Sequence, residues 1–315
     1  MRLVIPGGAG FVGRNLVRVL LSSSSSMSDS PSPKTRSFRP SDIIVIDKDE
    51  RWLQHVASFG VKTILGDCAT EGPWMKEFKN ADVVINLAAQ ISAPVKEPFL
   101  HNNVHATRNV LAAMKKYRVP RIVHFSSAAV LSVRKDEYAL TKKEGEDLVI
   151  TSGIPYVIIQ PSIMYGPTDS KNIGWLINFA RKLPFFPIPG NGKFPRQPIY
   201  IDDVCRLVIA WLRKFPKNKV YSINGKEKIF FKDMIKVVLQ EMGGFRFRLF
   251  IPVFVFRWAM VIGNAVMKKA PFTPDQLDSL TSGDVFPDYP WWDEFGVPVT
   301  PFEEGVRRML VAGNS

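Results

Sequence analysis

Cysteine and histidine are scarce in this sequence of 315 residues, and neither forms a pattern that indicates a metal site. The two cysteines, Cys68 and Cys205, lie far apart and follow neither a disulfide-framework nor a metal-ligand spacing. The four histidines show no metal spacing either, and no Ser-His-Asp order can be defended. We therefore expect no metal site, and we expect both cysteines to be reduced core thiols in a cytoplasmic protein.

We expect no export signal, and the sequence has no long uninterrupted apolar run. Met1 leads directly into "RLVIPGGAGFVG", without the basic, apolar and small-residue segments of a signal peptide. The most apolar stretch, "LFIPVFVFRWAMVIGNAVM", contains Pro252 and Arg257, and an arginine is costly in the middle of a bilayer. We predict a buried or surface-docking helix there, with the basic flanks "FRFR" and "KK" as the place of any peripheral contact with anionic membranes.

Acidic residues are in the minority. The sequence has 29 aspartates and glutamates but 42 lysines and arginines, which gives a formal net charge of +13. The basic residues are scattered and form no recognisable nucleic-acid module, so we predict no nucleic-acid partner. Dinucleotides and nucleotide-linked substrates are anions that this charge would attract. A solvated basic face is the alternative interpretation.

Short β-branched runs alternate with segments of helical length and period in the first half of the chain. This alternation predicts an α/β fold of the Rossmann type, a doubly wound parallel sheet covered on both faces. We predict a dinucleotide-binding domain over 1–160, with a flexible Ser/Pro-rich insertion at 22–41. Proline and aromatic content rises after Pro161, which indicates a smaller α+β substrate region over 161–315. The predicted strand runs are "RLVI", "IIVID", "VKTIL", "DVVINLAA", "RIVHFSS" and "PYVIIQPS".

A glycine-rich turn, "GGAGFVG", follows the first strand run and precedes a helical pattern. Its Gly7, Gly10 and Gly13 have the GxxGxxG spacing of a dinucleotide turn, with Phe11 and Val12 inside it. Glycine is needed there for the tight turn, for approach to the pyrophosphate and for helix packing on the strand. The helix N-terminus would then bind the anion.

Asp47 ends the second strand run and is the candidate ligand of the adenosine ribose. A carboxylate accepts hydrogen bonds from ribose hydroxyls and repels a 2′-phosphate, so we predict NAD rather than NADP. Lys48 and Arg51 follow closely and would soften that preference. A charged residue at an ordinary strand end is the alternative.

Taken together, these motifs resemble the extended short-chain dehydrogenase/reductases, the NAD-dependent epimerase/dehydratase family. "YALTK" matches its YxxxK signature, which implies Tyr138 and Lys142 as catalytic residues, and "HFSSAAV" implies Ser127 as the catalytic serine. Tyr138 and Lys142 would also contact the cofactor. The resemblance further implies a homodimer. The remaining cofactor-binding residues that it implies are Asp67 and Cys68 in "GDCAT", Ala88 and Ala89 in "NLAAQ", Asn103 in "NNVHATRNVL", and Pro161 in "QPSIMYGP".

Elementary chemistry supports the assignment of the catalytic residues. A phenol is a poor base at neutral pH and needs a nearby cation to favour the phenolate. Lys142 lies one helical turn from Tyr138 and can supply that charge. Tyr138 could then take a proton from a secondary alcohol whose carbon gives hydride to NAD, while Ser127 holds the oxygen.

The C-terminal half leaves the substrate open. Tyr165 and Trp175 are the aromatic residues that we expect near the substrate, and Arg196 is either a clamp for a substrate phosphate or a structural arginine bonded to loop carbonyls. Ser127 and Tyr138 are closer in sequence than in typical nucleotide-sugar epimerases. "RQPIYIDDV" is similar to the branch that contains the nucleotide-binding accessory subunit of respiratory complex I.

Three functions are consistent with this sequence. We predict first an NAD-dependent epimerase or dehydratase that acts on a secondary alcohol of a nucleotide sugar. The first alternative is a non-catalytic dinucleotide-binding subunit of a larger complex. The second is a dehydrogenase of a sterol or another lipid alcohol, which would explain the apolar segment near Pro252 as a membrane-surface anchor.

Overall fold

A seven-stranded parallel sheet forms the centre of the protein, in the order β3-β2-β1-β4-β5-β6-β11. The computed structural model describes residues 1–22, 38–133, 135–266, 277, 280–281 and 286–312. The order runs outward from β1 in both directions, which confirms the predicted doubly wound Rossmann-type fold. The strands of this sheet are β1 (Leu3–Pro6), β2 (Ile43–Asp47), β3 (Lys62–Leu65), β4 (Val83–Asn86), β5 (Ile122–Phe125), β6 (Tyr156–Pro161) and β11 (Lys219–Ile223).

Helices cover both faces of the sheet, because successive strand residues point to opposite sides. In β1, Leu3 and Ile5 belong to the apolar cluster on one face, whereas Val4 belongs to the cluster on the other. The helices are α1 (Phe11–Ser22), α2 (Glu50–Ala57), α3 (Glu97–Phe99), α4 (Ala106–Tyr117), α5 (Glu137–Thr151), α6 (Ile173–Ala180), α7 (Ile201–Arg213), α8 (Phe231–Met242), α9 (Val253–Val266), α10 (Trp291–Phe295) and α11 (Phe302–Ala312). A π-helical turn, Leu100–His105, joins α3 to α4.

The C-terminal region adds three two-stranded sheets and a third apolar cluster. The domain boundary at 160 stays a prediction, and the main sheet crosses it, since β11 pairs with β6 and α7 packs against α1. The strands of the small sheets are β7 (Met164–Tyr165) with β10 (Ile199–Tyr200), β9 (Pro195–Arg196) with β12 (Ile229–Phe230), and β8 (Phe185–Pro189) with β13 (Phe247–Ile251).

The structure describes the apolar stretch near Pro252 but only part of the predicted flexible insertion. Of the predicted flexible insertion at 22–41, residues 23–37 lie outside the described residues. The apolar stretch near Pro252 forms β13 and α9. Within the described ranges, no helix combines the length and the apolar character needed to cross a bilayer.

Candidate active site

The glycine turn is held against the strand end of β4 by contacts that leave no room for side chains. Gly7 has a φ of +72°, and a Cβ there would lie 2.5 Å from the backbone nitrogen of Ala88. A Cβ on Gly13 would lie 2.2 Å from the carbonyl oxygen of Gly8. The Gly10 amide donates to the Gly7 carbonyl over 3.2 Å. The sequence thus places glycine where the turn, the strand end and α1 approach one another most closely.

The first turn of α1 opens into a cleft of about 1620 Å³. Phe11 and Val12 line this cleft together with Gly7, Gly10 and Ala88, whereas Gly13 lies behind them in the helix packing. α1 has no acidic residue in its first turn. Its free amides and positive dipole end therefore fit the pyrophosphate of a dinucleotide.

Asp47 lies beside this turn at the end of β2, as predicted. One carboxylate oxygen accepts from the Ala9 amide at 3.0 Å, and the other accepts from the Asp49 amide at 3.1 Å. Burial raises the pKa of Asp47, and these amide hydrogen bonds oppose the rise. The carboxylate thus fixes the glycine turn and borders the cleft, a position that fits a ribose ligand.

Arg14 and Trp52 form a wall of the cleft that sequence reasoning missed. The Arg14 guanidinium lies 3.9 Å from the Trp52 ring centroid and donates to the Ala9 carbonyl over 2.8 Å. Burial lowers the pKa of Arg14, whereas Asp47 and Asp49 raise it. The sequence did indicate that Arg14 could line the cleft. Arg14 directly follows Gly13, and the first turn of α1 faces the end of β2. This buried cation lies on the same side of the cleft as Asp47.

Asp67 and Cys68 border the cleft beyond Asp47, where the family resemblance puts the adenine. Asp67 accepts from the Ala69 amide at 2.9 Å, and its carboxylate lies 3.0 Å from His101 Nε2 and 3.6 Å from Lys48 Nζ. Burial alone would raise the pKa of Asp67, but the hydrogen bonds and the Lys48 charge outweigh it and lower the pKa. Burial raises the pKa of the Cys68 thiol, which therefore stays neutral.

The three predicted catalytic residues meet at the centre of the cleft. β5 ends at Phe125, so Ser127 lies at the carboxyl edge of the sheet. α5 begins after the cap Asp136, whose carboxylate accepts from the Ala139 amide, and it carries Tyr138 in its first turn. Burial raises the pKa of Tyr138, while a hydrogen bond with the Ser127 side chain lowers it. At neutral pH the phenol is protonated, and Ser127 and Tyr138 both line the cleft, so the pair can hold and protonate a substrate oxygen.

Lys142 lies one turn further along α5 and is almost completely buried. Its ammonium group donates to the carbonyl oxygen of Phe125. Burial lowers the pKa of Lys142 to about 8, and the nearby Glu146 carboxylate partly offsets this effect. Glu146 is itself buried and accepts from Gln160 Nε2 at 2.8 Å. Gln160 thus fixes the carboxylate that supports the lysine charge.

Asn103 lies behind the cleft rather than on its lining. Its amide nitrogen donates to Thr141 Oγ1 over 2.9 Å, and its amide oxygen accepts from the Gln90 backbone at 2.7 Å. Thr141 precedes Lys142 on α5, so Asn103 ties the loop after β4 to the catalytic helix. Its predicted contact with the cofactor stays a prediction, and its observed contacts are those of a positioning residue.

We predict that Lys142→Met stabilises the protein while it removes catalytic function. A buried ammonium whose pKa falls from 10.5 to about 8 destabilises the folded state at neutral pH. Methionine removes that cost but loses the hydrogen bond to Phe125, so we expect a net gain of about 1–3 kcal/mol at pH 7. Chemical denaturation with and without the substitution measures the difference.

The pH dependence of that gain follows from its sign. Below pH 8 the folded and unfolded states both carry the Lys142 proton, and the gain is complete. Between pH 8 and 10.5 the unfolded state binds more protons, so the wild type becomes relatively more stable and the gain disappears. A Lys142→Met protein that is less stable than the wild type at pH 7 would contradict this account.

The other end of the cleft is largely apolar. The side chains on this wall come from α6, β8, β13 and α9, and Trp175 stacks on Phe179 with ring centroids 5.1 Å apart. The predicted residues Ala88, Ala89, Pro161, Trp175 and Arg196 all line the cleft. The apolar wall includes Trp175, Leu176, Phe179, Phe186, Ile251, Phe256 and Met260.

Tyr165 does not line the cleft, and its predicted contact with substrate stays a prediction. Its side chain is fully buried in the C-terminal apolar cluster, with ring centroids 5.5 Å from Tyr200 and 5.2 Å from Phe302. The reason is strand alternation, because the preceding residue of β7, Met164, lines the cleft.

Arg196 borders the cleft, but its guanidinium is directed to the protein. It donates to the carbonyl oxygen of Pro195 over 3.1 Å and to that of Leu280. These contacts agree with the alternative of a structural arginine bonded to loop carbonyls. A role as a phosphate clamp stays a prediction.

A Rossmann-type sheet, a glycine turn at its carboxyl edge and Ser127, Tyr138 and Lys142 on the same cleft form the combination typical of the short-chain dehydrogenase/reductase class. A family model described as "NAD dependent epimerase/dehydratase family" matches residues 3–224, and the chain belongs to this family. Membership confirms the predicted family and NAD as the cofactor, and it makes the chain an NAD-dependent enzyme by class.

Individual relatives are distant. A 4-hydroxy-2-methyl-3-oxo-4-farnesyl-3,4-dihydroquinoline-1-oxide ketoreductase of Stigmatella aurantiaca is 25% identical over 77% of this chain and 74% of its own. The NADH dehydrogenase [ubiquinone] 1 alpha subcomplex subunit 9 of Mus musculus is 27% identical over 72% of this chain and 61% of its own, which confirms the resemblance to that branch. A UDP-glucuronic acid 4-epimerase of Bacillus cereus, solved with UDP-glucuronic acid and NAD, has a TM-score of 0.71 at 20% identity, covering 99% and 98% of the two chains, and supports the fold.

Proposed function

We propose that the protein is an NAD-dependent oxidoreductase that interconverts a secondary alcohol and a ketone on a largely apolar substrate. The observation that carries this proposal is the apolar wall of the cleft beyond Tyr138, supplied by four separate elements. A pocket of this kind binds hydrophobic molecules and uses a few polar groups to orient them. The Stigmatella aurantiaca relative, named as a ketoreductase of a farnesyl-bearing compound, supports the same substrate class.

In the reduction direction, the Ser127 hydroxyl and the Tyr138 phenol would donate hydrogen bonds to the ketone oxygen. NAD, when reduced and bound in the cleft, supplies the hydride for the carbonyl carbon. Tyr138 gives its proton to the oxygen as the alcohol forms, and the Lys142 charge stabilises the phenolate that is left. Alcohol oxidation follows the same steps in reverse, with Tyr138 as the proton acceptor.

A nucleotide sugar is the second candidate substrate, and two cations favour it. Lys171 and Arg196 both line the cleft, and burial lowers the pKa of Lys171. Either side chain could approach a substrate phosphate. The bonds from Arg196 to Pro195 and Leu280 argue against that role, since they already use much of its donor capacity.

A non-catalytic subunit is the third candidate, favoured by the similarity to the mouse protein. The convergence of Ser127, Tyr138 and the buried ammonium of Lys142 on one cleft supports catalysis instead. A buried lysine is costly to keep without a role for its charge.

A substrate panel separates the three candidates. Purified protein with NADH is mixed with apolar ketones, such as sterol ketones and prenylated quinolones, or with nucleotide sugars, and the nicotinamide absorbance is followed. We expect oxidation of NADH with at least one apolar ketone, and its loss in Tyr138→Phe. Turnover of nucleotide sugars alone, seen as a transient reduced band with NAD, would favour the second candidate. Tight dinucleotide binding without turnover of either class would favour the third.

A further inference from the structure

The segment from Phe245 to Trp258 places large apolar side chains in solvent. Phe245 is 89% exposed, and Phe254 and Trp258 are each 67% exposed. Exposed apolar side chains clustered in this way normally mark a site of association. We call the group the docking face and define it by Phe245, Phe247, Leu249, Phe254 and Trp258, all of which are exposed.

α9 joins the docking face to the cleft. Phe254 and Trp258 are four residues apart and lie on its outer side. Phe256 and Met260 have the same spacing, offset by two residues, and line the cleft. An offset of two residues is about 200° around a helix, so the two pairs lie on opposite sides. The same helix therefore borders both solvent and the apolar end of the cleft.

The charge within this described segment has one sign. Residues 242–266 contain three arginines and no lysine, aspartate or glutamate. Arg248 on β13 and Arg257 on α9 are exposed among the docking aromatic residues. Long basic side chains beside exposed phenylalanine and tryptophan suit the boundary between acyl chains and anionic headgroups. The centre of a protein interface is usually depleted of charge, which makes a protein partner a poorer fit.

We propose that the docking face lies on an anionic lipid bilayer, with Phe254 and Trp258 among the acyl chains and Arg248 and Arg257 at the headgroups. The apolar substrate then passes from the bilayer into the cleft beside α9. This second step rests on the proposed function, whereas the docking itself does not.

The test is co-sedimentation of the full chain with vesicles of phosphatidylcholine, with and without phosphatidylserine. We expect binding to the mixed vesicles, weakened by about tenfold or more in pure phosphatidylcholine and in high salt. The double substitution Phe254→Ser/Trp258→Ser should weaken binding to the mixed vesicles by at least about tenfold as well. Val311→Ser is the matched control, because Val311 is equally exposed at 67% but lies on α11.

Each outcome decides the proposal. Loss of vesicle binding in the double variant, with binding retained in Val311→Ser and in the Tyr138→Phe protein, supports it. No binding by the wild type overturns it, and so does equal binding by the double variant. A wild-type dimer that the double variant converts to a monomer, without any vesicle binding, would assign the docking face to a second copy of this chain. The protein could still turn over apolar ketones in detergent if the vesicle experiment gave either of the two results that overturn the proposal. The proposed function is therefore tested separately from the docking.

Discussion

Tyr138→Phe lowers the turnover of the preferred ketone by about 10²–10⁴-fold, while the dissociation constant of NAD changes little. The substitution removes only the hydroxyl that would protonate the substrate oxygen. The ring and its contact with Phe99, at a centroid distance of 6.4 Å, are kept. Steady-state kinetics and a dinucleotide titration measure the two effects.

A matched tyrosine gives the control for this prediction. Tyr117→Phe removes a phenol at the end of α4, away from the cleft, and should leave turnover unchanged. The pH profile adds a second check, because reduction needs the protonated form of Tyr138 and should fall as pH rises through its pKa in the loaded enzyme. Wild-type turnover in Tyr138→Phe would remove this residue from the mechanism.

Asp47→Ala reverses the preference for NAD and changes the ratio of the two dinucleotide dissociation constants by about 100-fold. The substitution removes the carboxylate that would accept from the ribose hydroxyls and repel a 2′-phosphate. It also removes one of the carboxylates on this part of the lining and leaves the Arg14 guanidinium and the Lys48 ammonium there beside Asp49, a change of charge that favours NADP. Titration of the protein with each dinucleotide measures the ratio.

Asp47 also accepts from the Ala9 amide, so its effect on the turn must be separated from its effect on charge. Asp47→Asn keeps an acceptor oxygen for that amide and removes the negative charge. We expect this variant to gain NADP affinity with less loss of NAD affinity than Asp47→Ala. An unchanged ratio of dissociation constants in both variants would mean that Asp47 is not the ribose ligand.

The main sheet and the position of the cofactor turn could be predicted because local patterns determine them. The run "IIVID" is apolar at every position before Asp47, and the strand it forms is buried on both faces up to that residue. Glycine at 7 and 13 is required by close backbone approaches, and such requirements are visible in sequence as a motif.

Other features depend on contacts between distant segments and could not be predicted. The direction of Tyr165 depends on β7, a strand of only two residues that pairs with β10. Arg196 reaches the carbonyl oxygen of Leu280, 84 residues away in sequence. β11 follows a region that resembles a separate substrate domain, and its return to the main sheet is decided by pairing with β6. No local pattern encodes these contacts.

Among the features that depend on contacts between distant segments, the apolar wall of the cleft has the largest effect on the proposed function. Its residues come from segments that lie far apart in sequence; Trp175 and Met260, for example, are about 85 positions apart. The sequence of each segment alone is typical of an ordinary apolar core. The sequence therefore favoured a nucleotide sugar by family resemblance. The assembled cleft supports an apolar substrate, because the residues that converge on it are mainly aliphatic and aromatic.

Transfer of deuterium from labelled NADH tests the central claim most directly. The wild-type protein is incubated with NADH in which both hydrogens of the nicotinamide C4 are replaced by deuterium, and with the apolar ketone that performs best in the panel. Mass spectrometry of the extracted product should show one deuterium on the new alcohol carbon, with none in the Tyr138→Phe reaction. Product without the label, or no alcohol from any apolar ketone while a nucleotide sugar is converted, would contradict the account.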